Sequence, residues 1–519
     1  MPRRIAALSL PDIRVEIARE REEECKGGLS LDFLAVIVAR AGSAVQVERD
    51  VLGNTRIDFV SRQARALGVH AGQTVAAARA KCAAIRVRVV AEGAVRTALA
   101  RIAEAALAFG PATSFDIAQD VVWIDVSGCA HLHGGEIELA RAIRKRVIEM
   151  GYACRVAIAD GPRIATAMAR FGRPMEDSIV ASEGKGVAAV RALPITALGL
   201  DEDGTTWLAD LGLRTCGDLQ KLPRRALACR LGDRAQDVME FLDGRDHTPL
   251  EVWRPPEVPE ERIELDWGAR SVEALAFVLK ILCDRLAARI RGRGLAAARL
   301  ELVLALDRAF CNPCPPDGGS HRLTLSIVLP SPIARAPDLL SVVRARLQTC
   351  SLAAPVLAAT LRAPELARTP SLTLDWLTPQ PKAERALPRL VAELSAELGE
   401  DAVGMLELVD TWLPADRTRL VPYGSRSSKT LHSLHSLHSL HTLVTASLEP
   451  SRLVCAKQIS RGALVGAKHL ARVDAVQWWR HAPTSRSRHD LFMAWVDGAP
   501  AWLELREPSQ PLHLRGWMD

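Results

Sequence analysis

The chain has 519 residues, 48% of them hydrophobic and 25% charged, a balance that excludes fibrous, collagen-like and wholly disordered classes. That length exceeds one compact core of ordinary size, so three or more domains are expected. Lys and Arg (67) outnumber Asp and Glu (61) by only +6, so a nucleic-acid surface, if present, must come from local clusters and not from bulk basicity.

The 11 cysteines are odd in number and sit largely in apolar stretches, as at Cys82 and Cys283, which suits free buried thiols in a reducing compartment. Cys311 and Cys314 form a CxxC inside a Pro- and Gly-rich stretch. No second pair or nearby histidines complete a tetrahedral zinc set, so the segment reads as a turn. The basic N-terminus has a short apolar run stopped by Pro11, a poor signal peptide, and no stretch reaches about 18 uninterrupted apolar residues. A soluble cytoplasmic protein without membrane contact is expected.

In chain order, Ile5 to Leu10 and Phe33 to Ala39 read as buried strands, and Arg56 to Leu67 as a helix. Gly68-Val-His-Ala-Gly72 breaks the pattern before helical spacing resumes at Val75 to Cys82. Val95 to Phe109 is helical, Val121 to Val126 a strand, Ile137 to Met150 a helix, Cys154 to Ala159 a strand and Arg163 to Arg170 a helix. This alternation describes an α/β domain over residues 1–185. Residues 186–252 hold short helical pieces separated by Gly and Pro, an all-helical module. Trp253-Arg-Pro-Pro-Glu-Val-Pro259 is a stiff Pro-rich linker. Over 253–365 the order strand (Arg262 to Trp267), helix (Val272 to Arg291), strand (Ala297 to Leu306), strand (Arg322 to Leu329), helix (Pro337 to Leu347), strand (Val356 to Arg362) is a split βαβ arrangement. The remainder, 366–519, carries a Leu-His-Ser repeat over 431–441 and Trp478, Trp479, Trp495, Trp502 and Trp517 near its end, which suits a packed structure or a docking surface.

Ala66-Leu-Gly-Val-His-Ala-Gly-Gln-Thr-Val-Ala-Ala-Ala-Arg79 resembles the finger segment of Y-family DNA polymerases, Trp123-Ile-Asp-Val-Ser-Gly128 a palm strand, and Val156-Ala-Ile-Ala159 a later palm strand. Leu211-Gly-Leu-Arg-Thr-Cys-Gly-Asp-Leu219 is similar to the thumb and the split βαβ module to the little finger. The resemblance covers about residues 1–365. It implies an α/β multidomain fold with right-hand architecture: palm, fingers, helical thumb and βαββαβ little finger, followed by a C-terminal extension. Trp478-Trp479, Arg488-His-Asp-Leu-Phe492, Ala501-Trp-Leu-Glu-Leu-Arg506 and Leu514-Arg-Gly-Trp517 are similar to the tail of the ImuB-type branch. That branch implies a non-catalytic partner of an error-prone C-family polymerase and a RecA-like accessory protein in damage-induced mutagenesis.

Nucleotidyl transfer needs two divalent cations, and hard Mg²⁺ requires converging carboxylate oxygens. The family's first-strand carboxylate falls here on Ala7 or, with a shifted register, Ser9, and its adjacent Asp-Glu pair on Asp120 and Val121. One carboxylate of the set remains. Asp12 and Glu16 are nearby but lie beyond Pro11, and Asp125 reads as a turn residue. The family's phosphate-contacting Tyr and Arg fall on Arg62 and Arg65, and its phosphate-binding Lys on Pro162, beside Arg163. A lone Asp cannot offset the repulsion of two close cations, so the palm is expected to be a scaffold with no cofactor; Mg²⁺ enters only under the alternative, an active translesion polymerase with a rearranged metal site.

For a DNA primer-template, Arg214, Lys221, Arg224, Arg225 and Arg230 in the thumb-like module, and Arg285, Arg289, Arg291 and Arg293 at a helix end of the little-finger-like module, are candidate phosphate contacts; a solvated helix face explains each equally well. Gly212 and Gly217 suit either close approach to a phosphate or helix caps. Leu372, Leu374 and Trp376 fit a degenerate sliding-clamp peptide lacking its Gln, or an ordinary strand. The histidines of the 431–441 repeat read as repeat expansion, with no metal assigned. The expected function is a DNA-binding adaptor in translesion synthesis that recruits its partner polymerase and accessory protein, with the sliding clamp as a further partner.

Overall fold

The computed structural model describes residues 3–26, 33–40, 45–172, 178–310, 321–350, 352–368, 382–399, 402–408, 418–422, 452–459, 464–474, 488–505 and 511–517. The chain divides into two compact units, Met1–Arg389 and Leu390–Asp519.

In the first unit, strands β1 (Arg4–Ser9), β2 (Leu34–Ala39), β3 (Phe59–Val60), β4 (Arg86–Ala91), β5 (Ala112–Asp116), β6 (Val121–Asp125), β7 (Arg155–Asp160) and β8 (Ser178–Val180) interleave with helices α1 (Ile13–Lys26), α2 (Arg62–Ala66), α3 (Val75–Lys81), α4 (Glu92–Ala106), α5 (Glu136–Glu149) and α6 (Pro162–Phe171). They form a five-stranded sheet of order β5-β6-β1-β7-β8 and a small sheet β3-β2-β4. Central β1 runs antiparallel to both neighbours, and every one of its residues is buried. A strand covered on both faces reads as a continuous apolar run, which is why Ile5 to Leu10 shows no alternation.

Two segments differ from their sequence reading. The helix expected over 56–67 begins only at Arg62: Ser61 caps it, its hydroxyl accepting from the Ala64 amide, and Arg56 forms an isolated bridge with Thr74. Conversely, the chain after Pro11 turns at once into α1, which buries Ile13, Val15 and Ile17. Proline is tolerated just before a helix, so Pro11 marks a start and not only a strand end.

Short helices α7 (Gly186–Arg191), α8 (Glu202–Asp210), α9 (Cys216–Leu219), α10 (Arg224–Leu231) and α11 (Ala235–Leu242) follow. Then β9 (Glu260–Ala269), α12 (Val272–Gly292), β10 (Leu295–Leu306), β11 (Arg322–Ile333), α13 (Ala336–Gln348) and β12 (Val356–Arg368) give β-α-β-β-α-β order and a sheet β11-β10-β12-β9. Leu275, Val278, Leu279, Leu282, Leu286 and Ile290 of α12 are buried, at i, i+3 and i+4 intervals that make one apolar stripe. Each such side chain contributes about 1.5–3 kcal/mol, so this helix anchors the module. Helix α14 (Lys382–Leu398) begins in the first unit and ends in the second.

In the second unit, β13 (Gly404–Leu408) pairs with β14 (Thr418–Pro422). Strands β15 (Arg452–Ile459), β16 (Leu464–Asp474), β17 (Arg488–Val496), β18 (Ala499–Leu505) and β19 (Leu512–Trp517) form an antiparallel sheet of order β15-β19-β18-β17-β16. Ala494, Val496, Ala501, Leu503, Leu512 and Leu514 make its core, with Trp517 packed against them. Trp502 is buried and Trp495 half exposed. Cys311, Cys314, Leu372, Leu374, Trp376, the 431–441 repeat, Trp478, Trp479 and Arg506 lie outside the described residues. Among those described, no helix is long and apolar enough to cross a membrane.

Candidate functional site

Strand β1 positions the pocket. Successive side chains of a strand point to opposite faces, and those of β1 enter different cores: Ala6 and Leu8 join residues of α4 and α5, whereas Ile5 and Ala7 join Val121, Ala157, Ala159 and Ile164. Ser9 has the parity of Ala7 and pairs with Val121 across the sheet. The structure therefore brings Ala7, Ser9 and Val121 together on one buried face. Trp123, opposite Ala7, donates its indole N–H to Thr166 Oγ1 at 2.8 Å. Methyl groups, an indole and hydroxyls make a poor floor for a hard cation that prefers carboxylate oxygens.

Asp120, at the entry to β6, has φ +52°, a left-handed conformation that Asp adopts more readily than most residues. Its carboxylate is ion-paired with Arg14 from the first turn of α1. Arg14 also donates to the Ile117 carbonyl at 3.0 Å, and its guanidinium lies 4.7 Å from the centre of the Phe59 ring. The two side chains are only 10% and 11% exposed. Burial pushes the Asp120 carboxyl above its ordinary range, against the opposing charge and hydrogen bond of Arg14. The Asp120 carboxylate thus faces a guanidinium from its own chain.

The nearby acids have other partners. Asp12 lies 3.9 Å from Arg65. Glu16 accepts from the Ala153 amide at 2.8 Å, and burial, opposed by that bond, pushes its carboxyl up to about 7. Among the described residues, no group of His, Cys, Asp or Glu is arranged to hold a metal ion. Asp125 accepts from the Ser127 amide at 3.0 Å, a turn role.

Pro162 is the buried first residue of α6, the helix whose Ile164 packs in the same core as Ala7 and Val121. The next two amides, of Arg163 and Ile164, donate to one oxygen of Asp246 at 2.6 and 3.4 Å, and the Arg163 guanidinium lies 5.9 Å from the Phe241 ring centre. A carboxylate from the helical module thereby caps the positive end of α6. Arg65 donates to the Val60 carbonyl at 3.2 Å, and Arg62 is exposed on α2.

Residues 26–170 match the model of the impB/mucB/samB family. The segment is an impB/mucB/samB domain. The chain is 33% identical over 217 residues to Protein ImuB of Caulobacter vibrioides, covering 41% of this chain and 46% of that protein. It is 28% identical over 240 residues to DNA polymerase IV 2 of Mesorhizobium japonicum, covering 45% and 56%. The chain thus spans about half the length of these curated relatives. Among solved structures, an insertion ternary complex of Dbh DNA polymerase matches 69% of this chain and 98% of its own at 15% identity, with a TM-score of 0.39.

The impB/mucB/samB domain includes α4, and there the structure corrects part of the arginine reading. Arg285, Arg289 and Arg293 do not lie on a solvated face. Their side chains are 10% exposed and pair with Glu20 or Glu104, because α12 packs against α4, and carboxylates of α4 and α1 meet them in place of water. Arg291, on the other side of the same helix end, is exposed; its charge adds to burial in lowering the pKa of Arg146. In the helical module Arg214, Arg225 and Arg230 are exposed. Lys221 pairs with Asp218 at 3.4 Å, and Arg224 pairs with Asp243 while remaining two-thirds exposed.

Gly212 and Gly217 are structural. Gly212 has φ +77°, and a Cβ at Gly217 would meet Arg191 at 2.8 Å. Thr215 and Asp218 form a capping box around α9 that takes up their own two amides.

Sequence reasoning missed Arg14, Glu104, Glu261 and Asp246. A faint signal existed for two of them: Arg14 lies between Ile13 and Val15, and Glu104 between Ala103 and Ala105. A lone charge inside an apolar run calls for a buried partner.

Proposed function

We propose that this chain is a cytoplasmic, non-catalytic DNA-binding adaptor in damage-induced translesion synthesis. In this reading the first unit holds a primer-template. The C-terminal extension recruits an error-prone C-family DNA polymerase and a RecA-like accessory protein, and Leu372, Leu374 and Trp376 engage a sliding clamp. The observation that carries the proposal is the buried Arg14–Asp120 pair, with Ala7, Ser9 and Val121 at the other positions where the resemblance would put carboxylates. Moving two divalent ions and a triphosphate into that space would require displacing a desolvated guanidinium and supplying carboxylates from elsewhere. The impB/mucB/samB domain and the relatedness to Protein ImuB support the translesion setting.

The test is primer extension by the purified full chain with Mg²⁺ or Mn²⁺. No extension above that of Asp120→Ala is expected. Extension by the wild type that disappears in Asp120→Ala would establish an active polymerase with a rearranged site instead.

A further inference from the structure

Arg285, Arg289 and Arg293 follow at four-residue intervals, so they form a stripe along one face of α12. The structure covers this stripe with acids. Arg285 pairs with Glu20 of α1. Arg289 Nε lies 2.6 Å from Glu104 Oε2, and Arg293 lies 2.5 Å from Glu104 Oε1. In return, Arg101 of α4 reaches Glu261 of β9 at 3.0 Å. Glu261 also meets Arg289 at 2.9 Å, and Glu20 accepts from the Tyr152 hydroxyl at 3.0 Å.

Glu104 and Glu261 are 0% and 2% exposed. The helices touch at Gly292, where any Cβ would come within 2.1 Å of the Glu104 carbonyl oxygen. Among the described residues, the ion pairs of the seam link Arg101, Arg285, Arg289 and Arg293 with Glu20, Glu104 and Glu261.

Such a seam is selective in how it closes, but it does not hold as an apolar one does. Buried ion pairs contribute little net stability over apolar side chains of similar volume, and on separation every charge regains its hydration. A phosphate offers a guanidinium the same charge-assisted, bidentate hydrogen bonds as a carboxylate.

We propose that the seam is a latch: Glu20 and Glu104 occupy the α12 arginine stripe when it is closed, and the phosphates of a nucleic-acid backbone take their place when it opens. This rests on the DNA-binding reading above and names how that surface is regulated.

The test compares wild-type full-length protein with Glu20→Gln/Glu104→Gln, titrating each with a primer-template oligonucleotide across a salt series and mapping arginines modified by phenylglyoxal in the absence of DNA. Apparent affinity scales with the fraction of molecules already open, so the variant is expected to bind about tenfold tighter. Its Arg285, Arg289 and Arg293, shielded in the wild type, should become reactive. Binding that is present but no tighter, with those arginines reactive, would overturn the latch and leave the DNA reading standing. Salt-sensitive binding absent from both proteins would overturn the DNA reading and the latch with it. If the double variant shows no cooperative melt, Glu20→Gln alone, which removes the Glu20 carboxylate from Arg285, is read by the same two measurements against the same outcomes.

Discussion

The pocket beside β1 and the seam between α4 and α12 both bury guanidiniums against carboxylates, yet they are built differently. In the pocket, Arg14 Nε and Asp120 Oδ1 are buried without a hydrogen-bond partner. In the seam, both oxygens of Glu104 and both of Glu261 have an arginine within 3.0 Å. Buried polar groups specify structure when fully satisfied and cost stability when half satisfied. By that measure the Asp120 carboxylate is half satisfied, whereas the carboxylates of Glu104 and Glu261 are fully satisfied.

Mutation should separate the two. Glu104→Ala removes the only carboxylate that pairs with Arg293 among the described residues and one of the two that pair with Arg289. Breaking a buried pair from one side costs about 3–5 kcal/mol, to be read as a lower denaturant midpoint. In the pocket, replacing both partners, as in Arg14→Met with Asp120→Asn, should change stability by less than about 1 kcal/mol, because a half-satisfied pair gives little to lose. Equal losses at the two places would remove the distinction.

A pH experiment sharpens the same contrast on α1, where Glu16 stands between Arg14 of the pocket and Glu20 of the seam. Glu16 has its carboxyl raised from 4.5 to about 7, so between those values the folded chain binds more protons than the unfolded one. Stability is then fully present below about pH 4.5 and falls as pH rises through about 7. Glu16→Gln, which mimics the protonated form, should flatten that part of the profile in thermal melts taken from pH 4 to pH 8. A wild-type profile already flat across this window would place Glu16 in a more solvated setting than its contact with the Ala153 amide implies.

Much of the first unit was legible because strand and helix periods are local. The β-α-β-β-α-β order from β9 to β12 follows from apolar spacing within each segment, and Asp120 could be placed by counting back from Asp125. The environment of a charge is not local. The stripe Arg285, Arg289 and Arg293 is visible in sequence as evenly spaced cations, and spacing alone cannot tell a phosphate from a glutamate. The acid that decides the matter, Glu104, stands 185 residues away from Arg289. Arg14 escaped notice for a similar reason: Pro11 hid the helix that carries it, and its partner is 106 residues distant.

The smallest expected effect completes the comparison from outside both buried sites. Arg225 is exposed on α10, where a guanidinium costs no desolvation and holds no packing. Arg225→Ala should therefore leave stability within about 0.5 kcal/mol while lowering the slope of log affinity against log salt for a primer-template by about 1, the signature of one lost phosphate contact. Affinity should fall alike for every DNA sequence tested, since a backbone contact carries no base information. An unchanged slope would move the DNA path off the helical module and onto α12, where Arg291 is exposed and the latched stripe lies behind it, making the opening of the seam the step that controls binding.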